Sequence, residues 1–445
     1  MISPERQSNL RVLIHSPYPI RTDYPSGVSV FIQELAPHLK DLGCVVKTLG
    51  PVNKDRKTDR ADYNLGRTLS ISAIGTEAEA AITFDKRRAR DILMEVKPHI
   101  ILSQEPAVPN SSHTVYSAIP KDEDERRIVP VIGQFHAGSP PGGLDTLAKF
   151  YKVLAKSIRR PKFRYGIPIG LTMGYVNTIE KALSGRIAVS HGTAEFWNEM
   201  SPADYRVIYN GIDIDFFTPD GPKFEQWNDG RKTIFFAGRH DRRKGLEYLL
   251  EAYASLRRVG FDNLKLKIAG KGYVTEHLKE LVKKKEIPDV EFLGILSKDD
   301  LARAYRSADV VAAPSIGGEG FNRTIAEARS CGTLVVCTDI RGQDEAIGDD
   351  LRDFMAKPSD SDSLARAINK VLNLPGETAR EIRERSMQDT RDRFAWEIIA
   401  DQHVRYYDEV LTKYGGRPKW GEKEGSGFRL PIAGDVFVSD RAKRK

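Results

Sequence analysis

The feature that most constrains this chain is a rhythm that runs twice: a short apolar segment, a loop rich in glycine or proline, a helical pattern, then another apolar segment. In the first round Arg11-Val12-Leu13-Ile14-His15 reads as a strand and Ser16 to Gly27 as a loop. Helical spacing from Val28 to Leu42 ends at Gly43, a C-cap signal, and Cys44 to Leu49 reads as the next strand. Strand, loop, helix and strand in this order make the unit of a parallel α/β sheet. Further strands are expected at His99 to Leu102, Val129 to Phe135, Arg186 to Ser190 and Arg206 to Tyr209, with a long polar loop from Pro51 to Arg67.

The second round is cleaner. Strands are expected at Thr233 to Ala237, Leu264 to Ala269, Val290 to Leu293, Val310 to Ala313 and Leu334 to Thr338. Helices are expected at Gly245 to Val259, Thr275 to Lys285, Lys298 to Arg306 and Asn322 to Cys331. The polar, Pro/Gly-containing stretch from Pro219 to Lys232 separates the two rounds and reads as a linker. A chain of 445 residues is also too long for one ordinary core. The expectation is therefore two doubly wound domains, residues 1–218 and 219–393. A helix over residues 394–414 should return to the N-terminal domain, and 415–445 should form a basic flexible tail.

Composition narrows the class. With 40% hydrophobic and 29% charged residues the chain reads as a soluble globular protein and not a disordered one. The charge balance, 69 − 62 = +7, suits anionic partners without choosing among them. Cys44, Cys331 and Cys337 cannot build a disulfide framework, and no Cys/His cluster has ligand spacing, so no metal is expected. A reducing, cytoplasmic compartment follows. Met1 to Asn9 is polar and offers no leader, and the apolar stretch from Ile167 to Val176 is far short of a membrane span.

Two constellations carry chemistry. In the first, a strand ends at Pro314 and is followed by Gly317-Gly318-Glu319-Gly320-Phe321-Asn322 and a helix holding Glu327. Glycines allow close backbone approach, and a helix N-terminus offers N–H groups and a positive dipole end to a phosphate. Two carboxylates eight residues apart, Glu319 and Glu327, bracket that site and could accept from sugar hydroxyls. An equally plain local reading has Glu319 capping the helix and Glu327 on a solvated face. In the second, Gly238-Arg239-His240-Asp241-Arg242-Arg243-Lys244-Gly245 again links a strand to a helix. Arg239 and Lys244 would supply a fork and a point charge to a pyrophosphate, unless the loop is simply solvated.

Taken together with Gly270-Lys271-Gly272, these pieces resemble the retaining glycosyltransferases of family 4, which have the two-domain GT-B fold. Within that family the likeness is to phosphatidylinositol mannosyltransferases, carried by Gly318-Glu319, Gly185 to Ser190, Phe135-His136 and Ser307 to Val310 with the following Ala-Pro. The resemblance implies that Arg239 and Lys244 bind the donor pyrophosphate, Glu319 the transferred sugar and Glu327 the ribose. Backbone at Gly320, Phe321 and Asn322 would meet the phosphate or sugar, and the base would lie near Gly294 and Ile295. Gly27 matches the glycine-rich loop after the first strand, and His136 the active-site histidine. Departures from the family pattern are Asn322 where glycine is usual, Ser26 where a second glycine is common, and Gln104 where relatives often have histidine.

The resemblance thus implies a hexosyltransferase acting on a nucleotide-sugar without metal or other cofactor, with cations of the protein stabilising the leaving diphosphate. The acceptor would be a membrane lipid of phosphatidylinositol type or, alternatively, a soluble sugar or polysaccharide. A nucleotide-sugar epimerase on the same architecture would need more acid/base groups than His136. A nicotinamide oxidoreductase would need Gly-x-Gly-x-x-Gly after the first strand, which is lacking. No nucleic acid partner is called for. Residues 149–165 carry Lys149, Lys152, Lys156, Arg159, Arg160, Lys162 and Arg164 with Phe150, Val153, Leu154 and Ile158 at helical spacing. That is the form of a segment lying on an anionic membrane, on the inner face, or of a helix packed on the N-terminal domain.

Overall fold

The computed structural model describes residues 9–22, 26–52, 57–73, 76–106, 110–138 and 178–420. Within them lie two sheets. The first has eight strands in the order β4-β3-β2-β1-β5-β6-β7-β8. These are β1 Arg11–His15, β2 Val45–Val52, β3 Tyr63–Ala73, β4 Thr76–Ile82, β5 Ile100–Gln104, β6 Val131–Phe135, β7 Gly185–Ala188 and β8 Arg206–Val207. All neighbours pair in parallel except β3 with β4. The second sheet is wholly parallel, in the order β11-β10-β9-β12-β13. Its strands are β9 Lys232–Ala237, β10 Leu264–Ala269, β11 Val290–Gly294, β12 Val310–Ala313 and β13 Leu334–Cys337.

Both sheets are covered on two faces, which is why central strands read as unbroken apolar runs: Val12, Leu13 and Ile14 in β1 and Val310 and Val311 in β12 are fully buried. The order of strands reverses between β1 and β5, and again between β9 and β12. In open α/β sheets the crevice beyond the strand ends at such a reversal is where ligands bind. The loops after β9 and β12 are those of the two sequence constellations.

The helix Gly27–Asp41 begins where Ser26 accepts a hydrogen bond from the Ser29 amide at 3.1 Å. At the far end of the chain, helix Gly376–Phe394 is followed by Trp396–Tyr414. The second of these leaves its own unit. Trp396, Ile399, Val404, Tyr407 and Leu411 are buried in one cluster with Val12, Ile14, Phe31 and Leu35.

Two expectations are corrected. The stretch from Pro51 to Arg67 is no long loop: β2 runs on to Val52 and β3 begins at Tyr63, pairing Leu49 with Tyr63 and Val52 with Arg67. Its polarity is that of strands near a sheet edge, where one face meets water. The last helix does not start at Phe394, since Ala395 (φ −59, ψ 138) is extended and breaks it from the preceding helix. That break is held by the Ile212 amide donating to the Phe394 carbonyl at 2.7 Å. The three cysteines are all buried as free thiols. The segment 149–165 lies outside the described residues, as does the tail beyond residue 420.

The two units touch through polar contacts. Glu345 accepts from the amides of His191 and Gly192 at 2.8 and 2.9 Å, so a carboxylate of the second unit sits on the N-terminus of the helix His191–Met200 of the first. Arg323 reaches Glu34 at 2.6 Å, and the Trp396 indole N–H donates to the same Glu34 oxygen at 3.3 Å. No helix among the described residues is long and apolar enough to cross a membrane.

Candidate active site

The loop after β9 is organised by Asp241, a buried carboxylate. Arg239 and Arg243 lie 3.4 and 3.3 Å from its Oδ2. Their side chains then diverge. Arg243 is 17% exposed and donates to the Gly318 carbonyl at 3.0 Å, tying this loop to the one after β12, whereas Arg239 stays 47% exposed. Lys244 closes the short turn Arg242–Lys244 and sets its ammonium 2.8 Å from Glu319 Oε1. Ser315 donates to the same oxygen at 2.9 Å. Burial alone would raise the Glu319 pKa, but Lys244, Arg243 and Ser315 together outweigh it and hold the group below the ordinary carboxylate range. Glu319 is therefore an anion at neutral pH, poised to accept hydrogen bonds.

Glu319 lies in the loop before the helix, as the sequence implied, and the helix begins at Arg323. Glu327 lies one turn inside, buried, where its carboxylate accepts from Tyr305 at 3.0 Å and meets Arg323 at 3.4 Å. The solvated-face reading is thereby excluded. Burial raises its pKa and the Arg323 charge opposes this. Phe321 stacks edge-on to Phe394 at 5.0 Å and is 7% exposed, so only its backbone is left for a ligand. Asn322, where the resemblance led to an expectation of glycine, has a φ of −88 that suits any residue, and it precedes the helix without a side-chain cap bond.

Across from these loops stands His136, directly after β6. Its Nε2 lies 2.6 Å from Gln104 Oε1, and its amide and that of Ala137 donate to Glu105 Oε1 at 2.7 and 2.6 Å. Burial, with a smaller contribution from His403, lowers the His136 pKa to about 3, so the ring is neutral. Burial pushes Glu105 up to about 7 against the two amide donors. The turn beyond His136 meets the other unit closely: a Cβ added to Gly138 would lie 2.0 Å from the Glu319 carbonyl oxygen, and one added to Gly320 would lie 1.8 Å from that of His136.

The structure thus brings Lys244, Glu319, Gly320 and His136 to one place. Arg239 and Glu327 flank it, each in its own ion pair. Gly27 opens the helix that carries Glu34, the partner of Arg323. Gly294, at φ +71, ends β11, and its carbonyl accepts from the Gly270 amide at 2.6 Å; Ile295 beside it is exposed. Glu34, Tyr305 and Glu105 are candidate site residues that lie outside both sequence constellations; Arg243 and Arg323 lie inside them but were not singled out, because their contacts to Gly318 and Glu34 join residues far apart in the chain. Glu105 stands next to Gln104, which was already of interest.

Residues 25–216 match the family described as Glycosyltransferase Family 4, and residues 218–389 match Glycosyl transferases group 1. The chain is 27% identical over 396 residues to the phosphatidyl-myo-inositol mannosyltransferase of Mycobacterium leprae, covering 88% of this chain and 96% of that protein. Among solved structures it resembles a glycosyltransferase from Rickettsia africae, with a TM-score of 0.66, 19% identity and coverage of 91% and 99% of the two chains. It also resembles an Anabaena protein solved in complex with UDP-glucose, with a TM-score of 0.63, 17% identity and coverage of 90% and 99%. The chain belongs to the glycosyltransferases of the GT-B fold, a family 4 domain joined to a group 1 domain, and is similar within them to the phosphatidyl-myo-inositol mannosyltransferases.

Proposed function

We propose that this protein moves a hexosyl group from a nucleotide-sugar to a hydroxyl of a phosphatidylinositol-type lipid, with retention of configuration. The observation that carries the reading is that the loop holding the Lys244–Glu319 pair and the turn after His136 meet backbone to backbone, at Glu319 with Gly138 and at Gly320 with His136. A donor laid there would have its diphosphate beside Lys244 and Arg239 and its sugar beside Glu319 and His136. Glu327 would take the ribose, and backbone at Gly320 to Asn322 the phosphate or sugar. The base would sit near Gly294 and Ile295, held mostly by backbone.

The chemistry asked of these groups is electrostatic. The bond from the anomeric carbon to the diphosphate oxygen breaks and its electron pair stays on that oxygen. The ammonium of Lys244 and the guanidinium of Arg239 stabilise the charge as it develops. The acceptor oxygen attacks from the face the diphosphate leaves, and its proton passes to a diphosphate oxygen. No carboxylate of the protein is consumed in this scheme. Glu319 stays an anion, drawing hydrogen bonds from sugar hydroxyls, and neutral His136 is a hydrogen-bond partner and not a cation that would repel the forming oxocarbenium character. The lipid acceptor rests on the likeness to lipid-directed relatives and on the basic, amphipathic sequence of residues 149–165, which suits peripheral attachment to an anionic surface.

The test is transfer from GDP-mannose and UDP-glucose to vesicles containing phosphatidylinositol, with a soluble inositol phosphate as parallel acceptor. The expected product is a glycolipid whose anomeric configuration matches the donor. Transfer to the soluble acceptor alone would overturn the lipid reading, and an inverted product would overturn retention.

A further inference from the structure

We propose that Glu105 is a positioning residue for the transfer reaction: its carboxylate, held beneath the loop after β6, sets where His136 stands against the donor loop of the other unit. The proposal rests on the transferase reading above.

Glu105 is 4% exposed and follows β5 directly. Its φ is +45, a left-handed conformation that a residue with a side chain adopts at a cost in strain. The backbone is pinned there at both ends. Its amide donates to the Gln134 carbonyl at 2.8 Å, and its carbonyl accepts from Asn110 Nδ2 at 3.0 Å. The result is that one carboxylate oxygen, Oε1, accepts from two consecutive amides, those of His136 and Ala137, at 2.7 and 2.6 Å. Once Glu105 is ionised, above about pH 7, these are charge-assisted bonds, which are short and strong. The other oxygen, Oε2, is buried without a hydrogen-bond partner. A buried carboxylate with one idle oxygen is a costly way to hold a turn that a neutral side chain could hold.

The place where this stiffness is applied gives it a use. The preceding residue, Gln104, is fully buried and holds the His136 ring at 2.6 Å. Two consecutive residues thus fix His136 at both ends, one by its ring and one by its backbone. The clamped turn is also the part of the first unit that meets Glu319 and Gly320 at backbone contact. Slack in the Glu105 bonds would pass directly into the distance between His136 and the sugar-binding loop.

The test uses the full chain with Glu105→Gln and Glu105→Ala. In the wild type the His136 and Ala137 amide protons should resonate far downfield and exchange slowly. Both should move upfield in Glu105→Gln, which keeps the shape but not the charge. With GDP-mannose or UDP-glucose as donor, kcat should fall about 100-fold in Glu105→Ala, the loss typical of a misplaced reacting group, with donor KM unchanged. Glu105→Gln should recover part of that rate. Unmoved amides, or wild-type kcat in Glu105→Gln with shifted amides, would overturn the proposal. If Glu105→Ala does not fold, Glu105→Gln alone decides. If the wild type turns over neither donor, the transferase reading has failed, and the amide and His136 ring signals still decide whether Glu105 sets the histidine's position.

Discussion

On the C-terminal side of the site, backbone lies against backbone: at Gly270, φ +115, an added Cβ would lie 1.8 Å from the Gly238 carbonyl oxygen. On the N-terminal side the same task falls to buried polar side chains. His15 bonds Ser103 and Ser111 at 3.0 and 2.9 Å, Gln104 holds the His136 ring, and Glu105 holds its backbone. The first kind of contact is defined by missing side chains and does not itself titrate. The second is defined by side chains that must stay in one protonation state. The two halves should therefore break under different insults.

The largest effect is expected where backbone contact leaves no room. Gly270→Ala should destabilise the second unit by about 3 kcal/mol or more, the sum of backbone strain and overpacking. Denaturant unfolding should show it, and nucleoside diphosphate binding should be lost with it. Next comes Lys244→Ala, which leaves the backbone untouched. Removing one preorganised charge at a leaving group is worth on the order of 100-fold in kcat. The expected result is that loss with little change in donor KM; a change in KM alone would mean that Lys244 only docks the donor.

Acid should single out the N-terminal half. Burial lowers the pKa of His15 and His136 to about 3, and that of His99 and His403 to about 4, with Arg11 adding to the shift at His99. The unfolded chain binds protons at these groups below about pH 6.5 and the folded one does not, so stability falls as pH drops from about 6.5 toward 4, by roughly 1.4 kcal/mol per pH unit per histidine. Glu105 opposes this: the folded state holds its proton up to about pH 7, which adds stability as pH falls through that range and offsets part of the loss. Three of these four histidines lie in the first unit and His403 lies on the helix packed against it, whereas the second unit has, among the described residues, one buried histidine whose pKa burial lowers, His240. Hydrogen exchange at pH 5 should show that half opening first. Equal loss of protection in both halves would dissolve the distinction.

The smaller effects sharpen the comparison within the second unit. Glu327→Gln should weaken nucleoside diphosphate binding by about 1.5–3 kcal/mol, the worth of a charged hydrogen bond, measured by calorimetry. Arg239→Ala should change stability by less than about 0.5 kcal/mol, because its pairing with Asp241 is long and the side chain is half exposed. Any loss of turnover in that variant would then be catalytic in origin.

The alternation of strands and helices was legible because the strands from β9 to β13 are short segments, apolar throughout in β12 and β13 and alternating with lysine in β10; the readings of Leu264–Ala269 and Val310–Ala313 agree with the structure to the residue. The hairpin of β3 and β4 was not legible, because strands near a sheet edge need no unbroken apolar run; the start of β3 was read as part of the Pro51–Arg67 loop and β4 was not read at all. The two constellations were visible as glycine-rich loops at strand ends, since a phosphate-sized ligand needs close backbone approach wherever the chain goes next. The sequence also showed that His136, Glu319 and Lys244 each follow a strand.

By itself, then, the sequence determined the two α/β units and the loops that carry the candidate site residues, because these depend on neighbours within a few residues. Only the tertiary structure decided that Glu327 is buried against Tyr305 and Arg323, that Arg323 crosses to Glu34, that Glu105 clamps the His136 turn, and that Trp396–Tyr414 packs under β1. Each of those depends on a partner far away in the chain. The character of a charged side chain, whether solvated, paired or clamped, is set by what the fold brings within a few ångströms of it, and no local pattern encodes that.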